Sequence, residues 1–82
     1  MSKILFNEED IKKLKKNKNV LRVSERSITY DYAFKILFIN EYMAGKLPRQ
    51  IFEENGFDIK IIGLRRIEKS SYRWRTTYKN VN

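Results

Sequence analysis

Cysteine and histidine are both absent from this sequence of 82 residues. Their absence excludes disulfides, thiolate nucleophiles and histidine-ligated zinc, and it removes the side chain that most often acts as a general base. Proline occurs once and glycine three times, so no segment is typical of a flexible linker. No run approaches the roughly 20 apolar residues that a membrane-spanning helix needs, and the N-terminus turns acidic too early for a signal peptide. We therefore expect a single domain over residues 1–82 that does not enter a membrane.

The carboxylates do not form a pattern typical of an active site. Glu8, Glu9 and Asp10 make up a run that is typical of a helix start, and Glu53 and Glu54 make up an exposed turn. Acidic pairs are common at such places without any chemistry, and a metal site would need the two groups to converge. We expect no enzymatic activity, no cofactor and no bound metal.

Positive charge is what the sequence has in excess. It contains 18 Lys and Arg against 10 Asp and Glu, a net charge of +8. Residues 60–82 hold seven of these cations, Lys79 among them, against the single acid Glu68, so this segment alone contributes +6. A small basic domain most often binds a polyanion, usually nucleic acid and sometimes an anionic membrane surface. We expect the partner to dock at the C-terminal end.

Capping and turn residues divide most of the chain into helix-sized segments. Asn7, which three acids follow, predicts the start of a first helix that ends in the turn Asn17–Asn19. A second helix is predicted over residues 31–44, with Asp31 as its N-cap, and a short third helix over residues 48–55. The second helix is apolar around much of its circumference, which is typical of the centre of a fold or of a partner surface.

Residues 20–30 are rich in β-branched side chains and indicate a β element. They fit a single strand, a small hairpin bent near Glu25–Arg26, or an extended arm, because no glycine or asparagine marks a tight turn. Arg22 and Arg26 are candidates for contacts to a nucleic-acid backbone from such a wing or arm.

The last predicted helix has one apolar and one basic face. Side chains spaced three and four residues apart form an inward stripe that consists of Leu64, Ile67, Ser71, Trp74 and Tyr78. The opposite face carries Arg65, Lys69, Tyr72 and Thr76, flanked by Arg66 and Arg73. A separate turn over residues 59–62 followed by a break at Gly63 is favoured over one continuous helix, and both remain open.

The order of these features resembles the helix-turn-helix protein encoded by the short first reading frame of bacterial insertion-sequence transposases. The similarity runs from Tyr30 to Tyr78. Its motifs are Phe34–Lys35, which open a helix, Tyr42 and Gly45, which close it, Ile51 and Gly56 in the short second helix, and Arg73–Trp74 near the end of the third. The resemblance implies a DNA-binding protein whose catalytic acidic residues belong to a separate downstream frame.

The sequence departs from the family pattern at three places. Leu47 precedes Pro48 where the family usually has a Ser or Thr cap. Residues 57–72 lengthen the stretch between the turn glycine and the tryptophan by more than a helical turn. Members often continue into a leucine-repeat helix that forms oligomers, and no such repeat occurs up to Asn82.

Together these features predict a small, mainly α domain of four or five helices, with a helix-turn-helix core over residues 31–78 and an N-terminal helix and extended segment over residues 1–30. The expected DNA-binding residues are Arg65, Arg66, Lys69, Tyr72, Arg73 and Thr76, because Arg can bond guanine with two hydrogen bonds and Lys and Thr can reach phosphates or base edges. Trp74, Phe34, Phe38 and Phe52 are expected in the core.

The expected function is double-stranded DNA binding, as the recognition component of a transposase or a domesticated regulator derived from one. Because a single module usually reads a half-site weakly, we expect a homodimer or a separate catalytic transposase subunit as partner. We expect a location in the bacterial cytoplasm, on the nucleoid when bound to DNA. Two alternatives stay open: a protein-interaction module that uses the apolar helix 31–44, and an RNA-binding protein.

Overall fold

The computed structural model describes residues 5–78, so Lys79 of the basic segment lies outside the described residues. In chain order the elements are α1 (Glu8–Lys15), β1 (Val20–Val23), β2 (Ile28–Tyr30), α2 (Tyr32–Met43), α3 (Pro48–Glu54), α4 (Ile59–Ile62) and α5 (Leu64–Thr77). These five helices and one small hairpin confirm the mainly α architecture, and they decide the open question about residues 20–30 in favour of the hairpin.

Helix α1 begins as its capping residues predict. The Asn7 side chain accepts a hydrogen bond from the Asp10 amide (2.8 Å), and the Asp10 carboxylate accepts one from the Asn7 amide (3.1 Å). This reciprocal pair satisfies two N–H groups at the helix start. After the helix, the side-chain amides of Asn17 and Asn19 both donate to the Asn55 carbonyl at the end of α3, at 3.0 and 3.2 Å. These two bonds tie α1 to the helical core.

The two strands pair antiparallel, with Val20 opposite Tyr30 and Val23 opposite Ile28. Leu21 is an extra residue in β1, so the register shifts there and the strand carries a β-bulge. Val23 and Tyr30 are buried, whereas Leu21 is exposed. The hairpin thus turns one side toward the core and places Tyr30 at its inner end.

The hairpin turn is held by serine instead of glycine or asparagine. The Ser24 hydroxyl accepts hydrogen bonds from the amides of Arg26 (3.3 Å) and Ser27 (3.2 Å), and the Ser24 amide donates to the Ser27 carbonyl at 2.9 Å. A Ser side chain can stabilise a turn in this way, which explains why no glycine or asparagine is needed here. The Phe6 amide donates to the Glu25 carbonyl (2.7 Å), so the segment before α1 is anchored at the hairpin tip.

The core is a cluster of aromatic rings around Trp74, which is 2% exposed. Its ring centroid lies 5.1 Å from Tyr30 and 5.2 Å from Phe38, both edge-on, and 6.0 Å from Phe52 in a stacked pair. Phe34 joins the cluster 5.8 Å from Trp74. Edge-on ring pairs of this kind stabilise a core beyond simple burial. The prediction that the tryptophan and these three phenylalanines belong to the core is confirmed.

Helix α2 is the central element of the fold. Its N-cap is Asp31, as predicted, and the Asp31 carboxylate accepts a hydrogen bond from the Ala33 amide at 3.0 Å. Phe34, Phe38 and Ile39 are buried, whereas Met43 is 76% exposed. Most of the apolar circumference of α2 is therefore used by the core. None of the helices within residues 5–78 is long and apolar enough to cross a membrane.

Two glycines separate the short helices that lead into α5. Gly56 has φ +89°, and a Cβ there would lie 3.2 Å from Asn17 Nδ2, so both its backbone and its neighbour favour glycine. Gly63 has φ +85° and ψ +139°, a conformation that residues with a Cβ rarely adopt. It ends α4 and precedes α5. The break at Gly63 is therefore real, and α5 packs on α2, α3 and α4 as a separate helix.

The inward stripe of α5 was predicted correctly at its centre and wrongly at its start. Ile67, Ser71 and Trp74 are buried, and Tyr78 is partly buried. Leu64 is 49% exposed, because α5 begins anew after Gly63 and its first turn lies at the edge of the core. Ser70, which the stripe did not include, is 5% exposed and faces the hairpin side.

Candidate nucleic-acid interface

The face of α5 opposite the core is exposed over its whole length. Arg65, Lys69, Tyr72 and Thr76 follow one another at helical spacing along this face, and all four side chains are exposed, Tyr72 by 66%. Arg73 is exposed beside them. Long cationic side chains spaced by one helical turn can reach successive phosphates or base edges along a groove. We call these five residues the α5 face.

Arg66, the sixth predicted DNA-binding residue, lies at the border of the α5 face. Its guanidinium carbon is 4.2 Å from the centroid of the Phe6 ring, and its Nη1 donates to the Ile62 carbonyl at 3.3 Å. The stacking on Phe6 and the backbone bond hold the side chain half-buried between the N-terminal segment and α4. Its charge remains near the α5 face, whereas its hydrogen-bonding groups are partly engaged within the protein.

Arg75 belongs to the same basic segment but points elsewhere. Its Nη1 donates to the Tyr42 hydroxyl (3.1 Å), its guanidinium lies 4.9 Å from the Tyr42 ring centroid, and its Nε donates to the Ser71 carbonyl (3.2 Å). Arg75 therefore links α5 to α2. Not every cation of the basic C-terminal segment faces the same way.

The acidic member of α5, Glu68, lies on the α3 side of the helix, away from Lys69 and Arg73 but one turn from Arg65. Glu68 lines a groove between α3 and α5 together with Leu47, Pro48 and Leu64. Leu47 is 67% exposed, and no side chain caps the α3 start that it precedes. Lys69 and Arg73 line the cleft on the hairpin side of α5, so they lie on a different side of the helix from Glu68.

On its other side, α5 forms a cleft of about 160 Å³ with the β-hairpin, which we call the hairpin–α5 cleft. Its lining consists of Arg26, Ser27, Ile28 and Tyr30 from the hairpin and Arg66, Lys69, Ser70 and Arg73 from α5. Four of these eight residues are cations, and none of the lining residues that the structure describes is acidic. The cleft is thus a concave surface of one charge sign.

Tyr30 lies in this cleft with an unusual hydroxyl. The side chain is 4% exposed, and its oxygen is shielded from solvent and has no hydrogen-bond partner. Ser70 is a polar neighbour but does not reach hydrogen-bonding geometry with it. Burial raises the pKa of the Tyr30 phenol to about 12, although the neighbouring Ser70 side chain and the charges of Arg66 and Arg73 act in the opposite direction. At neutral pH the phenol is therefore a buried, protonated hydrogen-bond donor.

The sequence predicted the exposed face of α5 but not this cleft. Of the cleft residues, it named Arg66, Lys69 and Arg73 as DNA-binding residues and Arg26 as a possible contact to a nucleic-acid backbone. It gave no role to Ser27, Tyr30 or Ser70. No local signal could have grouped them, because about 40 residues separate the hairpin from Ser70 along the chain. The structure contains no group of His, Cys, Asp or Glu within residues 5–78 that could hold a metal ion.

The comparison with protein families agrees with this architecture. Residues 1–81 match the family described as a transposon-related helix-turn-helix domain protein. Neither the curated proteins nor the solved structures gave a significant match. The family points to DNA binding in a transposase context and not to catalysis. Since the match covers nearly the whole sequence, the chain belongs to the family of transposon-related helix-turn-helix domain proteins.

Proposed function

We propose that this protein binds double-stranded DNA through the α5 face, as the DNA-recognition component of a transposase or of a regulator derived from one. The observation that carries the proposal is the exposure of Arg65, Lys69 and Arg73 on one helix that rests on an aromatic core. A rigid helix with free cations can enter a major groove without rearranging the fold. Family membership supports the same function.

The α5 face offers two kinds of contact to DNA. Arg65 and Arg73 can each donate two hydrogen bonds to the O6 and N7 atoms of guanine, whereas Lys69 and Thr76 can donate to phosphates or base edges. Tyr72, exposed by 66%, can contact a thymine methyl group or a sugar. Arg66 adds charge from the border of the face. A single module of this size reads a half-site with modest specificity.

A single module with modest specificity needs a second DNA-binding unit to recognise a site specifically. We therefore propose that the protein acts as a homodimer or together with a separate catalytic transposase subunit, which would place two recognition helices on one DNA site. Its place would then be the bacterial cytoplasm, on the nucleoid when it is bound to DNA. The protein-interaction alternative loses its main support, since most of α2 is occupied by the core, and its strongly exposed large hydrophobic residues, Tyr32 and Met43, lie at its two ends.

The proposal is tested by fluorescence anisotropy of a labelled duplex titrated with protein at several salt concentrations. For the wild type we expect the affinity to fall steeply with salt, with a log–log slope of about −3 to −6. Changing Arg65, Lys69 and Arg73 together to Ala should weaken binding by about 100-fold, at a cost of about 1 kcal/mol per lost contact. The melting temperature should hardly change, because all three side chains are exposed.

The matched control is the triple variant Lys12→Ala, Lys13→Ala, Lys15→Ala. It removes the same charge from exposed positions of α1 and should retain most of the affinity. Equal losses in the two triple variants would mean that net charge, not the α5 face, governs binding. A wild-type protein that is folded but does not bind duplex DNA at low salt, or that prefers RNA competitor, would refute the proposed function.

A further inference from the structure

We propose that the hairpin–α5 cleft is a binding site for a DNA backbone phosphate, held between Arg26 of the hairpin and Lys69 and Arg73 of α5, with the Tyr30 hydroxyl as a further donor. This inference rests on the proposed function, because it takes DNA to be the ligand of α5. It adds a second contact region and gives the β-hairpin the role of a wing that grips the DNA backbone.

The charge of the cleft is the first argument. Arg26, Lys69 and Arg73 line one concavity of about 160 Å³, and none of the lining residues that the structure describes is acidic. Like charges that share a concavity repel one another, so such a cluster is stabilised when an anion enters. Elsewhere on the surface the cation Lys46 is paired, with Nζ 2.7 Å from Glu54 Oε1 and 3.6 Å from Glu41 Oε1.

The Tyr30 hydroxyl is the second and independent argument. A buried polar group without a partner costs free energy, and native proteins keep few of them. Its ring is needed in the core, where it lies 5.1 Å from Trp74 and 5.7 Å from Phe52, but a phenylalanine ring would serve that packing equally well. Only the hydroxyl lacks a structural use: its oxygen is shielded from solvent and has no hydrogen-bond partner, and Tyr30 is one of the residues that line the cationic cleft. A phosphate oxygen would supply the missing acceptor.

The position of the cleft makes a phosphate of bound DNA the fitting anion. Lys69 and Arg73 belong both to the α5 face and to the cleft, so DNA that contacts the α5 face passes the mouth of the cleft. The two side chains are long and exposed, and they can move apart as a phosphate oxygen approaches Tyr30. Backbone phosphates next to a recognition helix commonly receive contacts of this kind, which position the protein without reading sequence.

Two cations of the hairpin provide a matched test. Arg26 lines the cleft, whereas Arg22, which is equally exposed on β1, does not. In the anisotropy titration, Arg26→Ala should weaken binding by about 3- to 10-fold on every duplex sequence and make the log–log salt slope less steep by about 1. Arg22→Ala should bind within about twofold of the wild type.

A second variant isolates the hydroxyl. Tyr30→Phe keeps the ring and should have an equal or higher melting temperature, because it removes a buried group without a partner. It should nevertheless bind every duplex about 10-fold more weakly, since a hydrogen bond to a charged phosphate is lost. A hydroxyl with a purely structural role would show the opposite pattern, with lower stability and unchanged binding.

The possible outcomes separate this inference from the proposed function. Wild-type affinity and salt slope in both Arg26→Ala and Tyr30→Phe, alongside strong binding by the wild type, would overturn the phosphate site and leave the α5 face in place. Equal weakening by Arg26→Ala and Arg22→Ala would also overturn it, in favour of diffuse attraction. Weakening by Arg26→Ala alone would remove Tyr30 from the site. No DNA binding by the folded wild type would overturn both proposals.

Discussion

At the scale of single residues, Tyr30 joins the core to the surface. Its ring contacts Trp74, Phe34, Phe52 and Phe57 with centroid distances between 5.1 and 5.8 Å, and the residue also lines the cationic hairpin–α5 cleft. One side chain thus serves packing with its ring and is available for ligand binding through its oxygen. This combination is typical of tyrosine, whose apolar body ends in a hydrogen-bonding group.

The raised pKa of Tyr30 predicts a loss of stability at high pH. Below pH 10 the phenol is neutral in both the folded and the unfolded chain. Above it the unfolded chain releases the proton first, because burial keeps the folded-state pKa near 12. The free energy of unfolding should therefore fall between pH 10 and pH 12 by about 2 kcal/mol on account of this group.

Urea denaturation at pH 9, 10, 11 and 11.5 measures this effect. The comparison is made with Tyr30→Phe, which lacks the phenol and should lose less stability over the same interval. Parallel pH profiles for the two proteins would mean that the phenol ionises as easily in the folded state as in the unfolded one.

At the scale of elements, the break between α4 and α5 determines where the α5 face points. Asp58 caps α4 by accepting a hydrogen bond from the Lys60 amide (2.9 Å), and Gly63 then turns the chain before α5 begins. A continuous helix from residue 59 onward would change the direction of α5 and the set of residues on its outer face. Gly63 therefore affects function by orienting α5, without contacting a ligand itself.

Gly63→Ala tests the importance of this break. A Cβ at φ +85° and ψ +139° is strained, so the variant should lose about 1–3 kcal/mol of stability in urea denaturation. The matched control is Gly45→Ala, which also has a positive φ of +105° but no heavy atom within 4 Å of the added Cβ. Both variants should be less stable, and only Gly63→Ala should weaken DNA binding under conditions where each is fully folded. Unchanged stability of Gly63→Ala would show that the junction tolerates a side chain.

The structure changes the expected function of the hairpin more than that of any other element. As a sequence it is a short β-rich stretch with two arginines, Arg22 and Arg26. The Ser24 turn and the Leu21 bulge set which of them reaches α5. Only Arg26 lines the hairpin–α5 cleft, so the two arginines have distinct expected effects on DNA affinity.

At the scale of the whole molecule, size limits how much DNA one copy can cover. The longest dimension is 38 Å, which equals the rise of about 11 base pairs at 3.4 Å each. One molecule therefore spans at most about one turn of a duplex. The excess of eight positive charges favours rapid association with DNA but gives no specificity by itself.

We expect one copy to saturate a 12-base-pair duplex and two copies to saturate a 24-base-pair duplex. Titrations at protein concentrations well above the dissociation constant, followed by sedimentation of the complexes, measure these ratios. At the same concentrations the Arg65, Lys69 and Arg73 triple variant, whose affinity should be about 100-fold lower, should fill both duplexes only partly, and it serves as the control. Two copies on the 12-base-pair duplex would contradict this ratio and would mean that the proposed homodimer forms before the protein meets DNA.

The sequence alone determined those features that depend on interactions between residues no more than about four positions apart in the chain. The Asn7 and Asp31 caps, the helix start at Pro48, the break at Gly63 and the burial of Trp74 all follow from local hydrogen bonding, fixed backbone angles or helical periodicity. The exposed cations of α5 follow from the same periodicity, because the residues opposite a buried stripe face the solvent.

Tertiary structure determined which residues from distant segments of the chain lie side by side. Packing of the hairpin on α5 brought Arg26 and Tyr30 to Lys69 and Arg73, and it left one tyrosine hydroxyl buried without a partner. Packing of α2 on α5 places Arg75 against Tyr42, away from the other cations of α5. The sequence determines each element and its faces through short-range interactions, whereas the cleft exists only because the core positions elements that lie about 40 residues apart.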